Sequence, residues 1–179
     1  MIATRTPTVE EFLRSGDNER CEFVRGERIE KPMPTGPHSD VQTVIVAALH
    51  EYFRRTGHGK VRPEWHHRFG PADDIRVYVP DVAVLLAPRH LDAPAYADSP
   101  SNIIIEILSP SQPASVWIEK VQFYLHNGVQ GVWIVDPDLR RVNIYSPGKP
   151  IRRFEGSDIL KDDLLPGFEL PLTELFPGT

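Results

Sequence analysis

Cysteine is almost absent from this chain of 179 residues, in which Cys21 is the only example. A single cysteine excludes a disulfide within the chain and also a zinc site built from several thiolates. The scarcity fits a reducing compartment, in which thiols stay unpaired.

Long apolar runs are missing as well. No segment approaches the roughly 20 apolar residues that span a bilayer, and the first seven residues lack the apolar stretch of a signal peptide. The sequence therefore predicts a cytoplasmic protein without a membrane partner.

The chain also lacks an excess of positive charge, since 20 lysines and arginines against 25 acidic residues give a formal net charge of −5. This total does not indicate a nucleic-acid partner. It does not exclude one either, because a local basic groove can coexist with an acidic whole. With 40% hydrophobic and 25% charged residues, the composition is that of a folded protein, and the length predicts a single domain over residues 1–179.

Two carboxylates are present in segments that are otherwise apolar. Glu106 interrupts residues 103–108 (IIIEIL), and Asp81 follows Pro80 and opens residues 81–86 (DVAVLL). Such runs are typical of strands buried on both faces, where an ionised carboxylate costs on the order of several kcal/mol unless a cation or hydrogen-bond donors compensate. Two such acids on neighbouring strands indicate a divalent-metal site. The simpler alternatives are a Glu106 capped by amides or paired with an arginine, and an Asp81 that only starts a strand.

Helical signals are of three kinds: an N-cap threonine with an acidic N3 residue, apolar positions at helical spacing, and a C-cap glycine. They predict helices over residues 8–13, 38–56 and 115–127. Strands are expected in the hairpin over residues 21–30, in residues 59–70, 81–86, 103–108, 132–136 and 141–145, and in a closing hairpin.

This order of elements predicts an α/β protein with one mixed sheet flanked by helices. The crossover helix makes the strands of Glu106 and Trp133 parallel. Because side chains alternate along a strand, pairing of the two acidic strands brings Asp81 and Glu106 together if the register allows. On the crossover helix, the 3.6-residue period predicts a buried stripe with Lys120 on its flank. The stripe consists of Trp117, Ile118, Val121, Tyr124 and Leu125.

In their order and spacing, these residues resemble a family known as the “putative restriction endonuclease” family, within the PD-(D/E)XK nuclease superfamily. The resemblance is carried by Pro80-Asp81, by Glu106 and residues 107–111, by Lys120 and Tyr124, and by residues 128–137. Glu22 and His38 also fall at matching positions, so the resemblance covers almost the whole chain.

The resemblance implies a restriction-endonuclease-like fold and Mg²⁺-dependent hydrolysis of DNA, with Mn²⁺ as a substitute ion. It implies that Asp81 and Glu106 bind the metal, that Lys120 orients or activates the attacking water, and that Glu22 assists. His38 and Tyr124 are accessory candidates. Cutting both strands of DNA further favours a two-fold dimer.

The chain departs from the simplest pattern of the superfamily at one position and from the pattern of related sequences at another. Leu108 replaces the lysine of the simplest Glu-x-Lys motif, and Val116 replaces an aspartate four residues before Lys120. A second hypothesis is therefore a catalytically impaired protein of the nuclease fold that acts as a nucleic-acid-binding or regulatory module. A third is a hydrolase that uses Ser109 or Ser111 with a histidine, although no Gly-x-Ser-x-Gly motif supports it.

Overall fold

Helices and strands make up the structure, a computed structural model that describes residues 7–15, 20–71, 74–86, 96–110 and 112–177. Most of the predicted loop over residues 88–100 lies outside these ranges. The helices are α1 (Val9–Arg14), α2 (Gly36–Thr56), α3 (Ala114–His126) and α4 (Leu172–Leu175). The strands are β1 (Cys21–Val24), β2 (Glu27–Glu30), β3 (Gly59–Pro63), β4 (His67–Phe69), β5 (Arg76–Tyr78), β6 (Val82–Leu86), β7 (Ile103–Ile107), β8 (Gly131–Asp136), β9 (Arg141–Tyr145), β10 (Arg152–Glu155), β11 (Ile159–Leu160) and β12 (Leu170–Pro171).

The central sheet has six strands in the order β10-β9-β8-β7-β6-β3. Strands β7 and β8 are parallel and are joined through α3, which confirms the predicted crossover. Strands β6 and β7 are antiparallel, with Val82 opposite Ile105. One further step along this register places Asp81 opposite Glu106.

A second sheet, in the order β2-β1-β5-β4, stands apart from the central one. The prediction of one sheet for all these strands was therefore incomplete. The physical reason lies at Pro80, between β5 and β6, because a proline cannot donate to a strand ladder and so marks the point where the chain passes from one sheet to the other. The predicted hairpin is confirmed: Arg25 and Gly26 have φ angles of 52° and 84°, the left-handed pair that a tight primed turn needs.

Helices cover both faces of the central sheet. On one face, Ile45 and Leu49 of α2 pack in a cluster with Ile105 and Trp133. On the other, Val121 and Tyr124 of α3 pack with Ala83, Ile104 and Ile134. Because side chains alternate along β7, Glu106 lies on the α3 face, together with Ile104. None of the described helices combines the length and apolar character needed to cross a bilayer.

The junction of α2 and β3 offers a test of this packing. A Cβ atom added to Gly59 would lie 2.5 Å from the carbonyl oxygen of Leu85 and 2.6 Å from the ring of Phe53. We expect Gly59→Ala to lower the free energy of unfolding by roughly 1–3 kcal/mol, the usual cost of overpacking. Urea denaturation measures this difference.

Gly36→Ala is the matched control, because nothing lies within 4 Å of a Cβ atom added there. Its free energy of unfolding should remain close to that of the wild type. Equal stability of both variants would contradict the close packing of α2 against β3.

Candidate active site

A cavity of about 760 Å³ lies where β6 and β7 meet the four-stranded sheet and the helices α2 and α3. Its lining is rich in charged side chains from separate parts of the chain. They include the acids Glu22, Glu64, Asp81 and Glu106 and the bases Arg20, Lys31, His38 and Lys120.

Asp81 follows Pro80 at the start of β6 and is buried. Its Oδ2 accepts hydrogen bonds from the backbone N–H of Ile107 at 2.7 Å and from His38 Nε2 at 3.2 Å. Its Oδ1 accepts from Lys31 Nζ at 2.9 Å. Burial raises the pKa of Asp81, but the His38 hydrogen bond and the charge of Lys31 outweigh this effect and lower the pKa to about 2. Asp81 is therefore ionised at neutral pH.

Glu106 is the acid that interrupts β7. Its Oε1 accepts a hydrogen bond from the hydroxyl of Tyr124 at 2.7 Å and lies 3.6 Å from Lys120 Nζ. Burial raises the pKa of Glu106 to about 7, although the charge of Lys120 opposes the shift. This carboxyl group therefore titrates near neutrality, and a nearby divalent cation would favour its ionised form.

Lys120 reaches the site from α3 and is only 7% exposed. Its Nζ donates to Glu22 Oε1 at 2.7 Å and lies 5.2 Å from the centre of the Tyr78 ring. Burial lowers the pKa of Lys120, but the charges of Glu106 and Glu22 outweigh burial and raise it. The site thus contains a fixed ammonium ion.

The buried stripe of α3 is rotated from the predicted one. Ile118 is 42% exposed, whereas Lys120 joins Val121 and Tyr124 among the buried residues. The prediction was wrong for Ile118 because it assigned the buried face from the spacing of apolar residues alone. Lys120 is buried instead, because its ammonium has the partners Glu22 and Glu106 outside the helix. Val116 is 43% exposed, and the carboxylate partner of Lys120 comes from β1 instead of from α3.

Five of the six residues predicted for the site line this cavity, and the sixth, Tyr124, lies behind Glu106 and bonds to it. Glu22, on β1, bonds to Lys120 and also accepts a hydrogen bond from the backbone N–H of Val79 at 3.3 Å. His38 and Tyr124 each hold one of the two strand carboxylates. The structure establishes these positions, and the catalytic roles remain predictions.

Sequence reasoning missed Lys31 and Glu64. Lys31 Nζ donates to Asp81 Oδ1 at 2.9 Å, to Glu64 Oε2 at 3.0 Å and to the carbonyl oxygen of Val79 at 2.7 Å. Glu64, whose φ is 48°, also accepts a hydrogen bond from Gln42 at 3.1 Å. What brings Glu64 to Asp81 is the pairing of β3 with β6, which places Pro63 opposite Val82. This pairing is seen in the structure and could not be read from the sequence.

The donor set fits Mg²⁺, which prefers hard oxygen ligands and is usually held by one or two carboxylates with water and phosphate oxygens. Asp81 and Glu106 provide the two carboxylates. Within the described ranges, no three side chains of His, Cys, Asp or Glu are already grouped to hold a metal. The three oxygens around Lys31 Nζ nevertheless mark this region as one that accommodates a cation.

The buried serine and histidine pair of this protein is closed to substrate. His67 Nε2 lies 2.7 Å from Ser101 Oγ, and both side chains are fully buried. Burial lowers the pKa of His67 to about 4. Ser109 lines the cavity, and Ser111 lies outside the described residues. The buried pair of His67 and Ser101 contains neither serine of the serine-hydrolase hypothesis, which stays a prediction.

Comparisons with known proteins bear on the family and the fold. The sequence model of the Uma2 family, described as “Putative restriction endonuclease”, matches residues 9–173. The crystal structure of a “putative nuclease belonging to DUF820” from Anabaena variabilis has a TM-score of 0.82 and 26% sequence identity, over 95% of this chain and 97% of that chain. No match is found among curated proteins. These similarities confirm the predicted fold class and support a nuclease role, with nucleic acid as the class of substrate.

The pKa of Glu106 leads to a test of the site's electrostatics. With a pKa of about 7 in the folded state against an ordinary value of 4.5, the folded protein binds more protons than the unfolded chain between these pH values. The contribution of Glu106 to stability is therefore present below pH 4.5 and is lost as the pH rises through 7. We expect the free energy of unfolding of the wild type, minus that of Glu106→Gln, to fall by on the order of 2–3 kcal/mol between pH 5 and 8.

Urea denaturation in EDTA at several pH values measures this difference. Glu174→Gln, at an exposed position on α4, is the control and should follow the wild type. A Glu106→Gln profile parallel to that of the wild type would show that Glu106 keeps an ordinary pKa.

Proposed function

Because the chain belongs to the Uma2 family, described as “Putative restriction endonuclease”, we propose that it is a metal-dependent endonuclease that hydrolyses phosphodiester bonds in DNA. The observation that carries this proposal is the convergence of Asp81, Glu106 and Lys120 in one cavity. We further propose that the enzyme acts in the cytoplasm as a homodimer, since cleavage of both DNA strands favours two-fold symmetry.

Asp81 and Glu106 would hold Mg²⁺, with Mn²⁺ as a substitute. Asp81 is ionised and is oriented by the amide of Ile107 and by His38, and Glu106 is oriented by Tyr124. When bound, the metal supplies positive charge to the phosphate and lowers the pKa of its bound water. His38 and Tyr124 act through the carboxylates that they hold, and so they are positioning residues.

Lys120 has the role that a lysine at position 108 would have in the Glu-x-Lys motif. Its ammonium lies 3.6 Å from Glu106, where a fixed positive charge stabilises negative charge that develops on the phosphate. Glu22 holds this ammonium through a 2.7 Å hydrogen bond. Glu22 therefore assists by orienting Lys120, and this role requires no contact with the metal.

The second candidate is a nucleic-acid-binding or regulatory module that has lost catalysis. Leu108 and Val116, at two positions where the family pattern has charged residues, favour it. The two functions predict the same cavity but different behaviour: the module binds nucleic acid and leaves it intact in Mg²⁺ or Mn²⁺.

The direct test begins with calorimetric titration of Mn²⁺ and Mg²⁺, which needs no knowledge of the preferred DNA sequence. We expect the wild type to bind the ion and Asp81→Ala and Glu106→Ala to lose binding, because each variant removes a carboxylate ligand. Cleavage of plasmid DNA should fall at least about a hundredfold in both variants. Circular dichroism checks that they remain folded.

Glu174→Ala is the control for loss of an acid outside the site and should retain both properties. Retained cleavage in Asp81→Ala or Glu106→Ala would refute the assignment of the metal ligands. DNA binding without cleavage by the wild type, with either ion, would establish the module instead.

Lys120→Met separates the role of the lysine from that of the ligands. We expect this variant to lose cleavage by roughly a hundredfold or more, because one preorganised charge near the phosphate is removed. It should still bind Mn²⁺, since both carboxylates remain. Plasmid cleavage and calorimetry on the same sample measure the two effects.

Lys161→Met is the matched control, because Lys161 also forms an ion pair, with Glu169, but on the surface away from the cavity. It should cleave like the wild type. Undiminished cleavage by Lys120→Met would remove Lys120 from the mechanism and leave the metal site standing.

A further inference from the structure

Lys31 has surroundings that are unusual for a lysine. Its side chain is 15% exposed, and its ammonium contacts three oxygens at 2.7–3.0 Å, from Asp81, Glu64 and the carbonyl of Val79. An ammonium ion loses much of its hydration in such a place, and the oxygens replace the lost water. Lys31 therefore occupies a position built for a cation.

Asp81 has one oxygen with room for another cation, and a cation bound there would meet the ammonium of Lys31. Its Oδ2 already accepts hydrogen bonds from the amide of Ile107 and from His38, both of which are part of the folded framework. Its Oδ1 is held by Lys31, whose ammonium stands at the end of a flexible side chain. The contact with Lys31 is thus the one that an arriving metal ion can displace.

Glu64 provides a second acceptor for the displaced ammonium. Its Oε2 is already 3.0 Å from Lys31 Nζ, and its Oε1 accepts from Gln42 Nε2 at 3.1 Å. The same Gln42 nitrogen donates to the backbone carbonyl of Asp81 at 2.9 Å. Gln42 therefore keeps Glu64 beside Asp81, within reach of Lys31.

We propose that Lys31 is a built-in counter-cation of the metal site. Its ammonium holds Asp81 Oδ1 when no divalent ion is bound, and it keeps only Glu64 and the carbonyl of Val79 when the ion takes that oxygen. Lys31 thus competes with the metal for Asp81 and sets the affinity of the site. This inference rests on the proposed metal-dependent function and adds to it a residue that controls metal binding.

The two lysines of the cavity have different parts. Lys120 is buried between Glu22 and Glu106, at 2.7 and 3.6 Å, and stays in place when the metal binds. Lys31 contacts the proposed ligand Asp81 directly and must move. Substitution of Lys31, at 2.9 Å from Asp81, should therefore strengthen metal binding more than substitution of Lys120, at 3.6 Å from Glu106.

Calorimetric titration of Mn²⁺ without DNA tests the inference. We expect Lys31→Met to bind Mn²⁺ at least about tenfold more tightly than the wild type, because the competing charge is gone. We expect Glu64→Gln to bind Mn²⁺ more weakly than the wild type, because the second negative charge that attracts Lys31 away from Asp81 is lost. In EDTA, Lys31→Met should melt at a lower temperature than the wild type. Addition of Mn²⁺ should raise the melting temperature of the variant and remove this difference.

Lys149→Met is the matched control. Lys149 Nζ lies 3.1 Å from Asp163 Oδ2 at an exposed site, so its loss removes a lysine–aspartate pair without touching the cavity. Its Mn²⁺ affinity should equal that of the wild type. Lys31→Gln is a second variant, which keeps a hydrogen-bond donor without the charge and should also bind Mn²⁺ more tightly.

The outcomes separate this inference from the proposed function. Equal or weaker Mn²⁺ binding by both Lys31 variants overturns the counter-cation, and DNA cleavage by the wild type then leaves the nuclease standing. Tighter binding without cleavage by any form supports the counter-cation and rejects the nuclease. Absence of Mn²⁺ binding by the wild type and by both variants overturns both.

Discussion

The compensation of buried negative charge is the constraint on which the candidate site depends. Asp81 and Glu106 lie at the edge of an apolar core, where a carboxylate without partners would be strongly unfavourable. Each acid is therefore matched by a lysine and by a neutral donor. Asp81 has Lys31 and the amide of Ile107, and Glu106 has Lys120 and the hydroxyl of Tyr124. Burial raises the pKa of both acids. For Asp81, the His38 hydrogen bond and the charge of Lys31 outweigh burial and lower the pKa, whereas for Glu106 the charge of Lys120, 3.6 Å away, does not outweigh it.

The meeting of two sheets makes this compensation possible. Pro80 ends the ladder of β5 and lets the chain enter β6 in the central sheet, so that Asp81 stands at the junction. The four-stranded sheet contributes Glu22 from β1, and Lys31 follows its edge strand β2. A single sheet would leave Lys120 facing the core without the carboxylate of Glu22. The separate sheet, which the sequence analysis did not foresee, is thus what completes the charge balance of the site.

Sequence reasoning located Asp81 and Glu106 because each is a charged residue in a segment that is otherwise apolar. Such a residue is conspicuous only because its neighbours follow a regular apolar pattern. The parallel pairing of β7 and β8 was predictable for a related reason, since a strand, a helix and a strand allow few connections. Lys120 was found through family resemblance, and helical periodicity alone misjudged its neighbour Ile118. Lys31 and Glu64 were missed because they lie in short segments rich in proline and charge, where no period exists. Their importance comes from the pairing of distant strands, which only the folded structure displays.

The missing lysine at position 108 has a physical explanation in the same charge balance. Leu108 is partly buried and packs against the apolar cluster on the α3 side of the sheet, while Lys120 brings its ammonium from α3 to within 3.6 Å of Glu106. The proposed catalysis requires a positive charge near the carboxylates. It matters less whether the lysine that carries this charge belongs to a strand or to a helix. Val116 is explained in the same way, because Glu22 replaces a helical acid as the partner of Lys120. The two departures from the family pattern therefore alter where the charges originate in the chain, and not which charges meet in the cavity. In the proposed function, activity therefore depends on the access of a metal ion to Asp81, which Lys31 contacts, more than on the residues at positions 108 and 116.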